Sequence, residues 1–250
     1  MTDDCEHTSI YQRYCNCPPA LNIIAKYIKK SDGSMMKIAL LIFVHHNTSI
    51  LKRFISAMDD PRFDIFIHVD AKKNIDDFHF ETYQLKHSKL HFVPGRIRAY
   101  WGDISLSDAM ISAYRYAMSV GHYDWFLTLS GEDYPIQSND QIYAGLCNRK
   151  TDAIRTVKCY AYRYERYLFW KLQNKWLVRA ISKAIDILRI KKTTLMIDGK
   201  PWQICVSSQW HALTKASVQC VIKTVDNHPE IRRYFKYAYA PDEMVIPTIL

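Results

Sequence analysis

From Lys37 onward, short apolar runs alternate with stretches of helical periodicity, the pattern of a sheet covered by helices. Ile38 to Val44 reads as a buried strand, Thr48 to Met58 as a helix capped by Thr48, and Asp64 to Val69 as a second strand, which together make a βαβ opening. His91 to Val93 is a short third strand before Pro94-Gly95. Ser105 to Met118 has the spacing of an amphipathic helix, and Trp125 to Leu129 is a fourth strand that Ser130-Gly131 breaks. Ser138 with Gln141 has the form of a capping box, so a helix is expected to start there and to turn Ile142 and Leu146 inward. The fold class is therefore α/β. In open sheets of this class ligands gather at the carboxyl ends of the strands, so Val44-His45-His46, Asp70 and Ser130 to Asp133 are expected to face one crevice.

The chain has 250 residues, 48% of them hydrophobic and 24% charged, enough for one substantial core and too apolar for a disordered polymer. We read residues 35–250 as one domain. Residues 1–34 lack periodicity and end just before Met35-Met36, so they read as a flexible tail or a misassigned start. The longest uninterrupted apolar run, Ile38 to Val44, falls far short of the ~20 residues that a membrane-spanning helix needs. The opening MTDDCEHTSIYQRYCNCPP is polar and acidic, unlike a signal peptide, and the expected location is the cytoplasm. Cys147, Cys159, Cys205 and Cys220 lie singly, without framework spacing, and read as reduced thiols. Cys5, His7, Cys15 and Cys17 match no common zinc spacing, so no metal is expected there.

Six motifs occur in order along the chain. They are Phe43-Val44-His45-His46; Ile67-His68-Val69-Asp70; Tyr100-Trp101-Gly102; Leu129-Ser130-Gly131-Glu132-Asp133-Tyr134-Pro135-Ile136; Ser208-Gln209-Trp210-His211-Ala212-Leu213-Thr214; and Ala240-Pro241-Asp242-Glu243. Together they resemble the Core-2/I-branching enzyme and protein xylosyltransferase family, over about residues 37–250. The resemblance implies a GT-A-type fold with a mixed central sheet. It also implies transfer of N-acetylglucosamine or xylose from a UDP-sugar to an acceptor hydroxyl, with inversion and without metal. No cofactor is expected beyond the UDP-sugar donor, and the acceptor is expected to be a carbohydrate or glycolipid, in surface glycan synthesis.

The residues carry compatible chemistry. Asp70 ends a strand with a carboxylate able to accept hydrogen bonds from a uracil N–H or from ribose hydroxyls; Val44 and His45 would flank the same base. Packed histidines are the alternative for His45 and His46. Trp101 beside Gly102 suits a sugar face stacked on a ring, and a core position is its alternative. Ser130, Gly131, Glu132 and Asp133 stand where many GT-A enzymes hold a metal through Asp-x-Asp. The resemblance implies donor-sugar contacts there instead. Glu243 matches the family's catalytic base, which takes the acceptor's hydroxyl proton; Gln209, Trp210 and Asp242 are acceptor-side candidates. Pro241-Asp242-Glu243 is equally a common helix opening, with Asp242 as its cap. Gln209 stands where xylosyltransferases carry an Asp and cannot act as a base, which leaves the sugar open. In the family an Arg and a Lys downstream of Pro-Asp-Glu stabilise the departing diphosphate, and no position in this sequence matches them. The expectation is either a substitute from the basic segment or a truncated, inactive enzyme.

That basic segment is the chain's other marked feature. Residues 149–192 carry 13 Lys or Arg against Asp152, Glu165 and Asp186, a surplus larger than the chain's overall +9. Within it, Leu168 to Ile190 has apolar residues at helical spacing with cations interleaved, a basic amphipathic helix expected to hold the protein at an anionic membrane surface, the inner face for a cytoplasmic chain. Two competing readings are a non-catalytic UDP-sugar-binding relative and a basic membrane-surface or nucleic-acid-binding protein. The ordered motifs disfavour a nucleic-acid partner.

Overall fold

The structure is a computed structural model and describes residues 35–158, 175–187, 195–236, 238 and 240–250. The expected tail, the Cys5-His7-Cys15-Cys17 cluster, Cys159 and both ends of the expected basic helix lie outside these residues.

The core is a five-stranded sheet in the order β3-β2-β1-β4-β9. Strands β1 (Ile38–Val44), β2 (Phe63–Val69), β3 (Leu90–Phe92) and β4 (Trp125–Ser130) are parallel; β9 (Ala212–Thr214) runs antiparallel along β4. All seven residues of β1 are buried, which is why that strand reads as an unbroken apolar run and not as an alternation. Its side chains nevertheless alternate between two cores. Ile38, Leu40, Ile42 and Val44 pack with Leu51, Phe54 and Ile55 of α1 (Ser49–Ala57) and with Tyr143 and Leu146 of α3 (Asn139–Cys147). Ala39, Leu41 and Phe43 pack on the other face with Ala109, Met110, Ala113 and Tyr114 of α2 (Ile104–Val120) and Val218 and Val221 of α5 (Lys215–Asn227).

Local signals hold where a side chain satisfies an orphan backbone donor. Thr48 accepts from Leu51 N–H, and Ser138 and Gln141 form both bonds of the capping box. The ends of these strands and helices match the expected ones to within two residues, α2 running on to Val120.

β9 is locked in place by polar groups inside the core. The Tyr114 hydroxyl and His211 Nε2 lie 2.6 Å apart, both buried, and Thr128 Oγ1 accepts from His211 N–H at 3.0 Å. Desolvation pushes His211 down to about 4, so the pair is neutral and its bond needs no counter-charge.

A smaller third core lies under the last part of the chain. Hairpin strands β6 (Leu195–Ile197) and β7 (Lys200–Trp202) contribute Leu195 and Ile197. They pack with Ile104 of α2, Ile231 and Phe235 of α6 (Pro229–Phe235), and Met244 and Val245. Met244 caps a single 3-10 turn, Pro241–Glu243, and Val245 opens α7 (Val245–Ile249), so this cluster anchors the residues directly after Glu243. Among the described residues no helix is long and apolar enough to cross a membrane.

Candidate active site

Parallel pairing of β2, β1 and β4 brings Asp70, His45 and Gly131 to one edge of the sheet. Because β9 is antiparallel, its beginning lies at that same edge, and Thr128 Oγ1 donates to Gln209 C=O at 2.9 Å. The 3-10 turn joins through the next residues back: Ser207 N–H donates to Glu243 C=O at 2.8 Å. On its other side Ala240 N–H donates to Gly102 C=O at 3.3 Å, which ties the Tyr100-Trp101-Gly102 loop to the turn.

The circuit closes through a residue that the sequence reading missed. Lys72 Nζ lies 3.3 Å from Asp70 Oδ2, donates to Ala99 C=O, and sits 4.3 Å from the centre of the Tyr100 ring. Lys72 N–H also donates to Asp70 Oδ1 at 2.8 Å, and Asp70 N–H to Val44 C=O at 2.9 Å. The available signal was the spacing Asp-x-Lys just past a strand end, where an Asp side chain commonly accepts from the amide two residues on. The rim thus runs from Asp70 through Lys72, Tyr100, Gly102, Ala240, Glu243, Ser207 and Gln209 to β4, Gly131 and Val44.

The predicted residues divide into those that present a group at this edge and those that build it. His45 and His46 are exposed with rings 4.3 Å apart, and Trp101 is 62% exposed, so neither the packed-histidine nor the core-tryptophan alternative holds. Glu132 is exposed and its N–H donates to Ser130 Oγ. Val44, in contrast, is a core side chain. A Cβ on Gly131 would fall 2.7 Å from Val44 Cγ1, so the loop after β4 approaches β1 only because position 131 has no side chain. Asp133 closes its own loop by accepting from Ser130 N–H at 2.7 Å, which commits one carboxylate oxygen to structure. Among the described residues no three His, Cys, Asp or Glu side chains are grouped to share one ion.

Asp242 departs from expectation. It is not the cap of a helix; Ala240 precedes the turn, and Asp242 is buried inside it with Oδ1 lacking a hydrogen-bond partner. Desolvation raises its carboxyl to about 6, opposed by a hydrogen bond with its own backbone and reinforced by the neighbouring Glu243 charge. Glu243 is half-buried, and burial alone raises its carboxyl above the ordinary range. Ser207 Oγ and Gln209 Oε1 are also buried without partners, on the segment bonded to Glu243. Ala240 holds a left-handed φ of 53°, which costs about 1–2 kcal/mol for a residue with a Cβ, so the turn is held by its surroundings and not by local preference.

A separate cleft lies away from this edge. About 580 Å³ opens between α2, α5 and α6, lined by Ile104, Ser107, Ile111, Arg115, Arg232 and Val245 among others. It contains none of the motif residues, and two of its arginines are already paired, Arg115 with Asp226 and Arg232 with Asp108. The carboxylates with raised pKa values, Asp242 and Glu243, lie instead at the sheet edge, which makes that edge the candidate site.

The family model of the Core-2/I-Branching enzyme matches residues 38–250. Xylosyltransferase 2 of Pan troglodytes is 25% identical over 230 residues, covering 88% of this chain, and Xylosyltransferase 1 of Homo sapiens is 26% identical over 240 residues, covering 89%. The matches span 25% and 23% of those relatives, so the chain covers about a quarter of their length. The solved apo structure of mouse Xyloside xylosyltransferase 1 aligns over 86% of this chain and 80% of that one at 8% identity, with a TM-score of 0.38, too distant to carry an argument. The family match over the whole sheet and all six motifs is the deciding observation: the chain belongs to the Core-2/I-branching enzyme family.

Proposed function

We propose that this chain is an inverting, metal-independent glycosyltransferase of the GT-A type that moves N-acetylglucosamine or xylose from a UDP-sugar to an acceptor hydroxyl, with Glu243 as the base. The observation that carries the reading is the closed rim, which fixes a half-buried carboxylate of raised pKa at the same sheet edge as Asp70. In a direct displacement at the anomeric carbon, Glu243 takes the proton of the attacking hydroxyl, and UDP leaves from the opposite face of the sugar. Asp70, steadied by Lys72, suits the nucleoside, and Trp101 offers an exposed ring face to a sugar. The commitment of Asp133 to its own loop supports donor binding without a metal.

Calorimetry with UDP tests the donor half. Affinity is expected to be the same with and without EDTA, and a loss on chelation would reject metal independence. Asp70→Ala is expected to weaken UDP binding by about 1.5–3 kcal/mol, the range for a hydrogen bond to a charged group. Unchanged affinity would remove Asp70 from the site.

A further inference from the structure

Helix α4 (Lys175–Ile187) turns the wrong face outward for a helix that merely covers a core. Trp176 is 82% exposed, Ile187 70% and Leu177 46%, and Ala180 and Ala184 are exposed with them. At about 100° per residue these five positions fall within an arc of about 100°, a continuous apolar stripe. Lys183, also exposed, sits at the edge of that stripe beside Trp176, where a long cationic side chain can extend past an apolar surface to a polar one. Exposed apolar stripes of this kind mark interaction surfaces.

Charge decides what the partner is. The helix lies inside the segment with 13 cations against three acids. A second copy would bring two such segments together, and their repulsion opposes that pairing. Nucleic acid needs cations and stacking rings turned outward, whereas most of this arc is aliphatic. A stripe of Trp, Leu and Ile bordered by Lys183, within a strongly basic segment, has the chemistry of a helix lying in the boundary between lipid headgroups and acyl chains. We propose that α4 is a membrane-docking surface that lays Trp176, Leu177 and Ile187 into a bilayer rich in anionic lipid. The proposal stands apart from the catalytic reading, because none of these residues belongs to the rim.

Vesicle sedimentation with the full chain tests it. Vesicles with about 30% phosphatidylglycerol in phosphatidylcholine should pellet the protein, and raising salt from about 0.05 to about 0.5 M should release most of it, as screening of the anionic surface requires. Trp176→Ser with Ile187→Ser should lower partitioning about tenfold or more through lost apolar burial, and Lys183→Glu should lower it several-fold through charge. These positions are exposed, so melting curves should stay close to the parent's. Equal pelleting with pure phosphatidylcholine, no pelleting with either, or a double variant that binds like the parent overturns the proposal. So does a dimer, or binding to a single-stranded oligonucleotide, that the double variant abolishes while its vesicle binding is unchanged.

Discussion

Replacing Glu243 with glutamine is expected to lower sugar transfer by about 10²–10⁴-fold, the usual contribution of a positioned base, while UDP affinity holds. Glutamine keeps the size of the side chain and its capacity to hydrogen-bond, but it cannot take the hydroxyl proton. The backbone contact with Ser207 involves the Glu243 carbonyl and survives the change, so the turn stays in place. Transfer by the parent should also fall on acidification, because only the ionised carboxylate is a base. Since burial raises the Glu243 pKa, that fall should be centred above the ordinary glutamate value of about 4.3. The measurement pairs UDP release from UDP-xylose and UDP-N-acetylglucosamine with calorimetry of UDP itself. Near-normal transfer by Glu243→Gln, with transfer lost in Asp242→Asn instead, would move the base to Asp242.

Asp242→Asn is expected to stabilise the fold near neutral pH. An aspartate whose folded pKa is about 6, against 3.8 for the ordinary group, binds its proton more tightly folded than unfolded. Below the lower value both states are protonated and nothing is lost. As the pH rises through that window the unfolded chain ionises first, and stability falls by up to about 3 kcal/mol before levelling off above the folded value. Asparagine cannot ionise, so the variant should lack this fall and should melt roughly 5–10 °C above the parent at pH 8, with little difference near pH 4. A capping aspartate would behave in the opposite way, since its loss costs about 0.5–2 kcal/mol. Thermal melts at the two pH values distinguish these cases, and a variant that melts lower at pH 8 would show that Asp242 stabilises the turn.

Much of the fold was legible because its signals are local. An apolar run such as Ile38 to Val44 and a capping pair such as Ser138 and Gln141 state their structure within a few residues. The carboxyl-edge convergence followed from the parallel order of the first strands. The hairpin β6–β7 was missed although its signal was present: Asp198-Gly199 takes left-handed φ at both positions, 50° and 72°, as a two-residue hairpin turn requires. The burial of Asp242 was not legible at all. The turn is anchored through Met244 and Val245, which pack with Ile104, Leu195 and Phe235 from three distant stretches of chain, and a Pro-Asp-Glu triplet reads as a helix opening without them. The division of labour at the loop after β4 was hidden for the same reason. Adjacent carboxylates look alike in sequence, and only geometry shows that Asp133 serves its own backbone while Glu132 faces outward.

The antiparallel attachment of β9 also bears on how the protein is made. Strands β1 and β2 pair across one short helical crossover, and β4 adds next to β1, so the end of β2 with Asp70 and the loop after β4 need only the first part of the chain. β9 and the turn that carries Glu243 come last in the chain, and β9 closes on β4 across a stretch about as long as the one between β1 and β4, whereas β1 and β2 close across a far shorter one. A growing chain is therefore expected to form the β1–β2 pair that ends at Asp70 before the turn that carries Glu243, and pulse-labelled hydrogen exchange should find β1 amides protected earlier than those of β9.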